Sequence, residues 1–148
     1  GPVAGVMVVF FKVVLNLFIN STTTVFVGEF ANFMVGCSLI LPAAIVYEFK
    51  KTKKNAITAM AVGTIAMTIF GSFFNAVYLL PTFSKLYGME MDALIAFGTA
   101  INPNITNVTS FVILAVAPFN LIKGIVVSIV TMIIYKPLSP IIKSRHQK

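Results

Sequence analysis

Four apolar stretches, each close to the roughly 20 residues needed to cross a hydrocarbon core, leave few architectures open to this chain. They cover 1–20, 30–47, 55–80 and 118–135, and the charged side chains fall mostly between or after them. With 58% hydrophobic residues and a mean hydropathy of +0.97, the chain carries more apolar surface than a soluble fold of 148 residues could hide. Even a soluble domain of that size leaves about a third of its chain surface wet. Intrinsic disorder is excluded by the same hydrophobicity. The expected class is an all-α integral membrane protein, a single transmembrane domain over 1–148 with four transmembrane helices.

The basic residues fix an expected orientation. Eight of the 11 lie in two groups, Lys50, Lys51, Lys53 and Lys54, then Lys136, Lys143, Arg145 and Lys148. Each group follows an apolar run, and no aromatic residues are interleaved to stack bases, so nucleic acid is not the expected partner. The positive-inside rule places both groups in the cytoplasm. The C-terminus is then cytoplasmic, the first helix starts inside, and the segments Ser21–Glu29 and 82–117 face outward. An even number of preceding helices would keep the whole N-terminus inside. The start at Gly1-Pro2, without an initiator Met or a charged leader, suggests the C-terminal part of a longer chain.

Prolines set the expected helix limits. Pro81 stops the third helix, and Pro118 opens the fourth at its first position, where a missing N–H costs nothing. Between them 82–117 reads as a long external loop with one or two short helices; the alternative is a crossing from Val108 to Ala117 joined to the fourth helix. Ala59, Gly63 and Gly71 in the third helix, and Gly1 and Gly5 in the first, are spaced for close packing of helix backbones.

Polar residues in apolar runs are the candidate site. Lys123 would cost at least about 2.5–3.5 kcal/mol in hydrocarbon on insertion scales. Asn120 stands three residues earlier, on the same helical face. Together they offer ammonium and amide donors plus an amide acceptor, suited to an uncharged ligand rich in carbonyls and hydroxyls. Asn75, in the aromatic-flanked run Phe73-Phe-Asn-Ala-Val-Tyr78, brings a second asparagine to the outer end of the third helix. The polar segment Asn20 to Asn32 adds Glu29 and Asn32, although Glu29 in a first helical turn also complements the helix dipole. Lys12 and Asn16, four apart, read as a structural pair inside the bundle. The lone histidine, His146, is in the charged tail, and Cys37 is unpartnered in an apolar run. No enzymatic centre, metal or resident cofactor is expected. The Asn-x-Ser/Thr triplets at Asn20, Asn104 and Asn107 match a glycosylation pattern that is frequent by chance.

Taken in order, Gly1-Pro-Val-Ala-Gly5, Gly28-Glu-Phe-Ala-Asn-Phe33, the Lys50–Lys54 run, the Asn75 segment and Pro118-Phe-Asn-Leu-Ile-Lys-Gly124 resemble the riboflavin-specific substrate-binding subunits (S components) of energy-coupling factor (ECF) transporters. The resemblance covers essentially the whole chain. It implies a six-helix protein of the bacterial cell membrane, of which this chain holds helices three to six; without the first two helices and their loop it should bind poorly or not at all. It also implies riboflavin as the transported ligand, held through Asn75, Asn120 and Lys123; Glu29 and Asn32 of the polar segment and Tyr78 of the Asn75 run are further candidates from the residues themselves. The implied partners are the lipid bilayer, a transmembrane coupling protein and two ATPase subunits that use the ATP. The isoalloxazine edge presents two carbonyls and an N–H, and its flat face suits Phe and Tyr walls. Alternatives are an S component for another vitamin, with cationic thiamine disfavoured by Lys123, or a non-transporting membrane scaffold.

Overall fold

The computed structural model describes residues 2–20 and 26–144, so Gly1, the stretch 21–25 and the stretch 145–148, with Arg145, His146 and Lys148, lie outside the described residues. The described chain is helical: α1 (Pro2–Asn20), α2 (Val27–Phe49), α3 (Lys53–Phe74), α4 (Leu80–Tyr87), α5 (Met91–Ile101), α6 (Val108–Phe111) and α7 (Ala117–Ser144). Among the described residues, four helical stretches are long and apolar enough to cross a membrane: Pro2–Ile19, Val27–Phe49, Lys53–Tyr87 and Val108–Leu138. Each helix packs on the next: α1 on α2, α2 on α3, and α3 on α7. Isoleucines and phenylalanines stand exposed along the outer faces, the surface expected of a bundle whose solvent is lipid.

Small residues set the helix separations. A Cβ on Gly63 would fall 2.5 Å from the Leu39 carbonyl oxygen of α2, and one on Gly36 would fall 2.9 Å from Val9 Cγ1 of α1. Ala59 is wholly buried in α3, and Val35, Leu39 and Met67 close the core between α2 and α3. The expected packing face of Ala59 and Gly63 therefore meets α2, while Gly71 meets α7. Lys12 and Asn16 are exposed on α1, a correction to their expected place inside the bundle: among the described residues α1 packs mainly on α2.

The α2–α3 connection shows how the sequence closes a helix pair. Thr52 caps α3 by accepting from the Asn55 N–H at 3.2 Å, and Asn55 Nδ2 donates at 2.6 Å to the Val46 carbonyl, in the last turn of α2. Carbonyls in that turn lack an intrahelical partner. At the other face of the chain ends, Tyr47 of α2 and Tyr135 of α7 share a hydrogen bond between hydroxyls at 2.9 Å, with their rings edge to face.

The prolines do not act as the sequence suggests. The third span does not end at Leu80, and 82–117 is not mainly loop. A five-residue π-helical turn over Asn75–Leu79 joins α3 to α4, and a second over Val112–Val116 joins α6 to α7. In each the closing N–H reaches back five residues, Leu80 to the Asn75 carbonyl and Ala117 to the Val112 carbonyl. Pro81 and Pro118 each follow one residue after that closing N–H. The wider turn moves the carbonyl that a proline ring would strike in an α-helix, so the helix continues through both. Thr82 Oγ1 donates to the Tyr78 carbonyl at 2.5 Å across the first junction. The fourth span thus begins at Val108, close to the alternative in which this segment joins the last helix, and α5 packs on α4 and α6.

The intervening segment is held by its own polar groups. Gly88, at φ 62°, ends α4 in the left-handed conformation that glycine adopts without penalty. Asn107 caps α6 in a reciprocal box with Ser110. Buried Ile105 and the Phe111 ring press against Gly98 of α5.

Candidate binding site in the helix bundle

Both π-helical turns border one cavity of about 310 Å³, whose other lining residues come from α2 and α7. Four of the six candidate residues line it: Asn32 from α2, Asn75 at the start of the first π turn, and Asn120 and Lys123 from α7. Leu79 comes from the first turn, Ala115 and Val116 from the second, and the Phe119 ring closes one side. The polar wall is thus drawn from segments far apart in sequence, and the apolar lining comes from α2, the two π turns and Phe119.

The amides are fixed by a glycine. Asn75 Nδ2 donates to the Gly71 carbonyl at 2.8 Å, which uses one of its two N–H donors and leaves Oδ1 as an acceptor. A Cβ on Gly71 would lie 2.5 Å from Asn120 Nδ2. Asn120 is 4% exposed, and its Nδ2 has no acceptor among the described residues. A buried amide donor without an acceptor costs about 1–3 kcal/mol, a cost that a ligand carbonyl would relieve. Lys123, half-buried one turn further along α7, adds an ammonium to the same wall. The site therefore offers donors at Asn120 and Lys123 and an acceptor at Asn75.

Glu29 and Tyr78 are not among the residues lining the cavity. Glu29 lies in the first turn of α2, where a carboxylate complements the helix dipole. Tyr78 belongs to an aromatic row beside the cavity: Phe70 stacks on Phe74 at 5.6 Å, Phe74 on Tyr78 at 5.0 Å, and Phe30 meets Tyr78 edge to face at 5.9 Å. Leu79, Val116 and Phe119 were not singled out by sequence; the signal for them was a proline following each π turn at the same interval. Gly71 carried a signal too, standing four residues before Asn75.

Comparison with known proteins gives one consistent answer. Residues 1–135 match the family model described as ECF transporter, substrate-specific component. The chain is 39% identical over 143 residues to the riboflavin transporter RibU of Staphylococcus aureus, spanning 97% of this chain and 68% of that protein. It is 34% identical over 147 residues to the riboflavin transporter FmnP of Bacillus subtilis, spanning 99% of this chain and 72% of that protein. Among solved structures, the S component of a bacterial ECF transporter superposes with a TM-score of 0.67 at 38% identity, covering 97% of this chain and 70% of that one. The apolar helices, the cavity between them and these matches together establish that the chain belongs to the substrate-specific components of ECF transporters, which are multi-pass membrane proteins.

Proposed function

We propose that this protein is the riboflavin-capturing subunit of an ECF transporter and that riboflavin is held in the cavity by Asn75, Asn120 and Lys123. The observation that carries the reading is the set of polar groups that line one cavity. Asn120 and Lys123 supply donors and Asn75 an acceptor, and the isoalloxazine edge presents the complement, two carbonyls and an N–H. The relatives named as riboflavin transporters support the same ligand. Phe119 offers a flat apolar face beside the polar wall, in keeping with a site that is mostly apolar with a few placed polar groups. Asn32, exposed at the cavity margin, is positioned for the more polar part of the ligand.

Capture is from the outside. The Lys50–Lys54 run and the C-terminal end of α7 lie in the cytoplasm, which sets the cavity toward the outer leaflet. Energy comes from partners, a transmembrane coupling protein and two ATPase subunits of the bacterial cell membrane. The test is direct: the full-length protein purified from a riboflavin-replete host should carry flavin absorbance, and the stripped protein should quench riboflavin fluorescence on titration. Colourless protein that fails to quench overturns the reading. Accumulation of riboflavin in vesicles holding only this protein, without ATP or partners, would overturn the division of labour.

A further inference from the structure

On the opposite side of the α3–α7 seam from the site, an open apolar groove of about 700 Å³ runs along the two helices. Its walls are isoleucines, Ile57 and Ile65 of α3 and Ile125, Ile129 and Ile133 of α7, all exposed. Its floor holds no unsatisfied hydroxyl: Ser128 donates to the Gly124 carbonyl at 2.7 Å, and the Thr64 and Ser128 hydroxyls lie 3.3 Å apart. A single charged side chain, Lys53, lines the groove, at the end where α3 begins. We infer that this groove binds one anionic glycerophospholipid, its acyl chain along the isoleucines and its phosphate on Lys53.

Length and charge argue for that occupant. From Lys53 to Ile65 the α3 wall extends about 18 Å at 1.5 Å per residue, close to the roughly 15 Å depth of one leaflet's hydrocarbon. The small residues Ala61, Thr64 and Ser128 lie between branched isoleucines that project outward, leaving a channel between the two walls. The cation sits at one end and not midway, where a chain-bearing headgroup would place its phosphate. No acidic side chain stands in the first turn of α3, and Lys54 follows Lys53 there. Glu48, exposed near the end of α2, does not line the groove. The inference rests on membrane residence, not on the ligand of the inner cavity.

The test is native mass spectrometry of the full-length protein in mixed micelles of phosphatidylglycerol and phosphatidylethanolamine with identical acyl chains. The expected result is preferential retention of one phosphatidylglycerol. Lys53→Gln should lower that retention about fivefold, the factor for one lysine at an anionic surface, while Lys50→Gln, in the same basic run but off the groove, should not. Ala61→Phe, which adds a ring to an exposed groove position without changing charge, should also lower it. Unchanged riboflavin quenching checks the fold of each variant. Equal retention of the two lipids overturns the inference, as does an equal loss from Lys53→Gln and Lys50→Gln, which would mark diffuse surface attraction. Full retention by Ala61→Phe overturns it as well, because the chain would then lie elsewhere.

Discussion

Asn120 reaches its place on the cavity wall because residue 71 on the facing helix has no side chain: a Cβ there would stand 2.5 Å from Asn120 Nδ2 and 3.1 Å from Cγ. The carbonyl of the same glycine accepts from Asn75 Nδ2 at 2.8 Å. One residue therefore seats both amides of the site, one by leaving room and the other by accepting a hydrogen bond. Helix packing and ligand recognition meet at this position.

Gly71→Ala should separate these roles from ordinary packing. The added methyl meets the end of a flexible side chain, so the helices need not part, and alanine regains about 1 kcal/mol of helix propensity. Thermal stability should change little, while riboflavin affinity falls about tenfold as the Asn120 donor is turned from its line. Gly63→Ala is the contrast. There the methyl meets the Leu39 carbonyl oxygen at 2.5 Å, backbone that cannot move alone, and overpacking of that kind costs about 1–3 kcal/mol. It should lower the melting temperature in detergent with a smaller effect on affinity. Fluorescence titration and thermal melting of the two variants check both halves.

Much of this was legible in the residues. Lys123 and Asn120 are three apart in an apolar run, which put them on one face before any fold was known, and the charge-poor stretches marked the spans. What could not be read was the backbone between Tyr78 and Phe119. Pro81 and Pro118 ordinarily end or begin a helix because the ring strikes a carbonyl one turn back. A π turn before each removes that clash, and nothing in apolar periodicity distinguishes a four-residue from a five-residue turn. The consequence reached the site: Leu79, Ala115 and Val116 were assigned to a helix end and a loop, yet they line the cavity. Tyr78 was a candidate from its place beside Asn75, but the same π turn sets it in the aromatic row with Phe74 and Phe30.

Asn75 contributes a neutral acceptor, so its loss should cost less than loss of a cation. Asn75→Leu should weaken riboflavin binding about 2- to 12-fold, the range for one neutral hydrogen bond of 0.5–1.5 kcal/mol. The ligand supplies the sharper measurement. If Asn75 Oδ1 accepts from the flavin N3–H, N3-methylriboflavin should bind the parent more weakly than riboflavin does. Asn75→Leu should then discriminate less between the two. Equal discrimination by parent and variant would assign the N3–H to another residue.

The Tyr47–Tyr135 hydrogen bond joins α2 to α7 at the end of the bundle away from the cavity. Tyr47→Phe keeps the edge-to-face ring contact at 6.0 Å and removes one neutral hydrogen bond, worth about 0.5–1.5 kcal/mol. The expected outcome is a lower melting temperature in detergent with riboflavin affinity unchanged. A matching loss of affinity would show that this end of the seam controls the shape of the site.

Lys123 is the strongest single test of the ligand assignment. Lys123→Met keeps the length and apolar stem but removes a charge-assisted donor, worth about 1.5–3 kcal/mol, so binding should weaken roughly 10- to 150-fold. Membrane insertion should not suffer, because Met is cheaper than Lys in hydrocarbon. Asn120→Leu should weaken binding too. Because Asn120 and Lys123 line one wall and meet one ligand, the two losses should be less than additive or more than additive in a double-mutant cycle, not independent. Lys136→Met, far along α7 and exposed, is the control and should leave affinity unchanged. If Lys123→Met binds riboflavin as tightly as the parent, its ammonium extends to the interface and the polar wall is not the riboflavin contact.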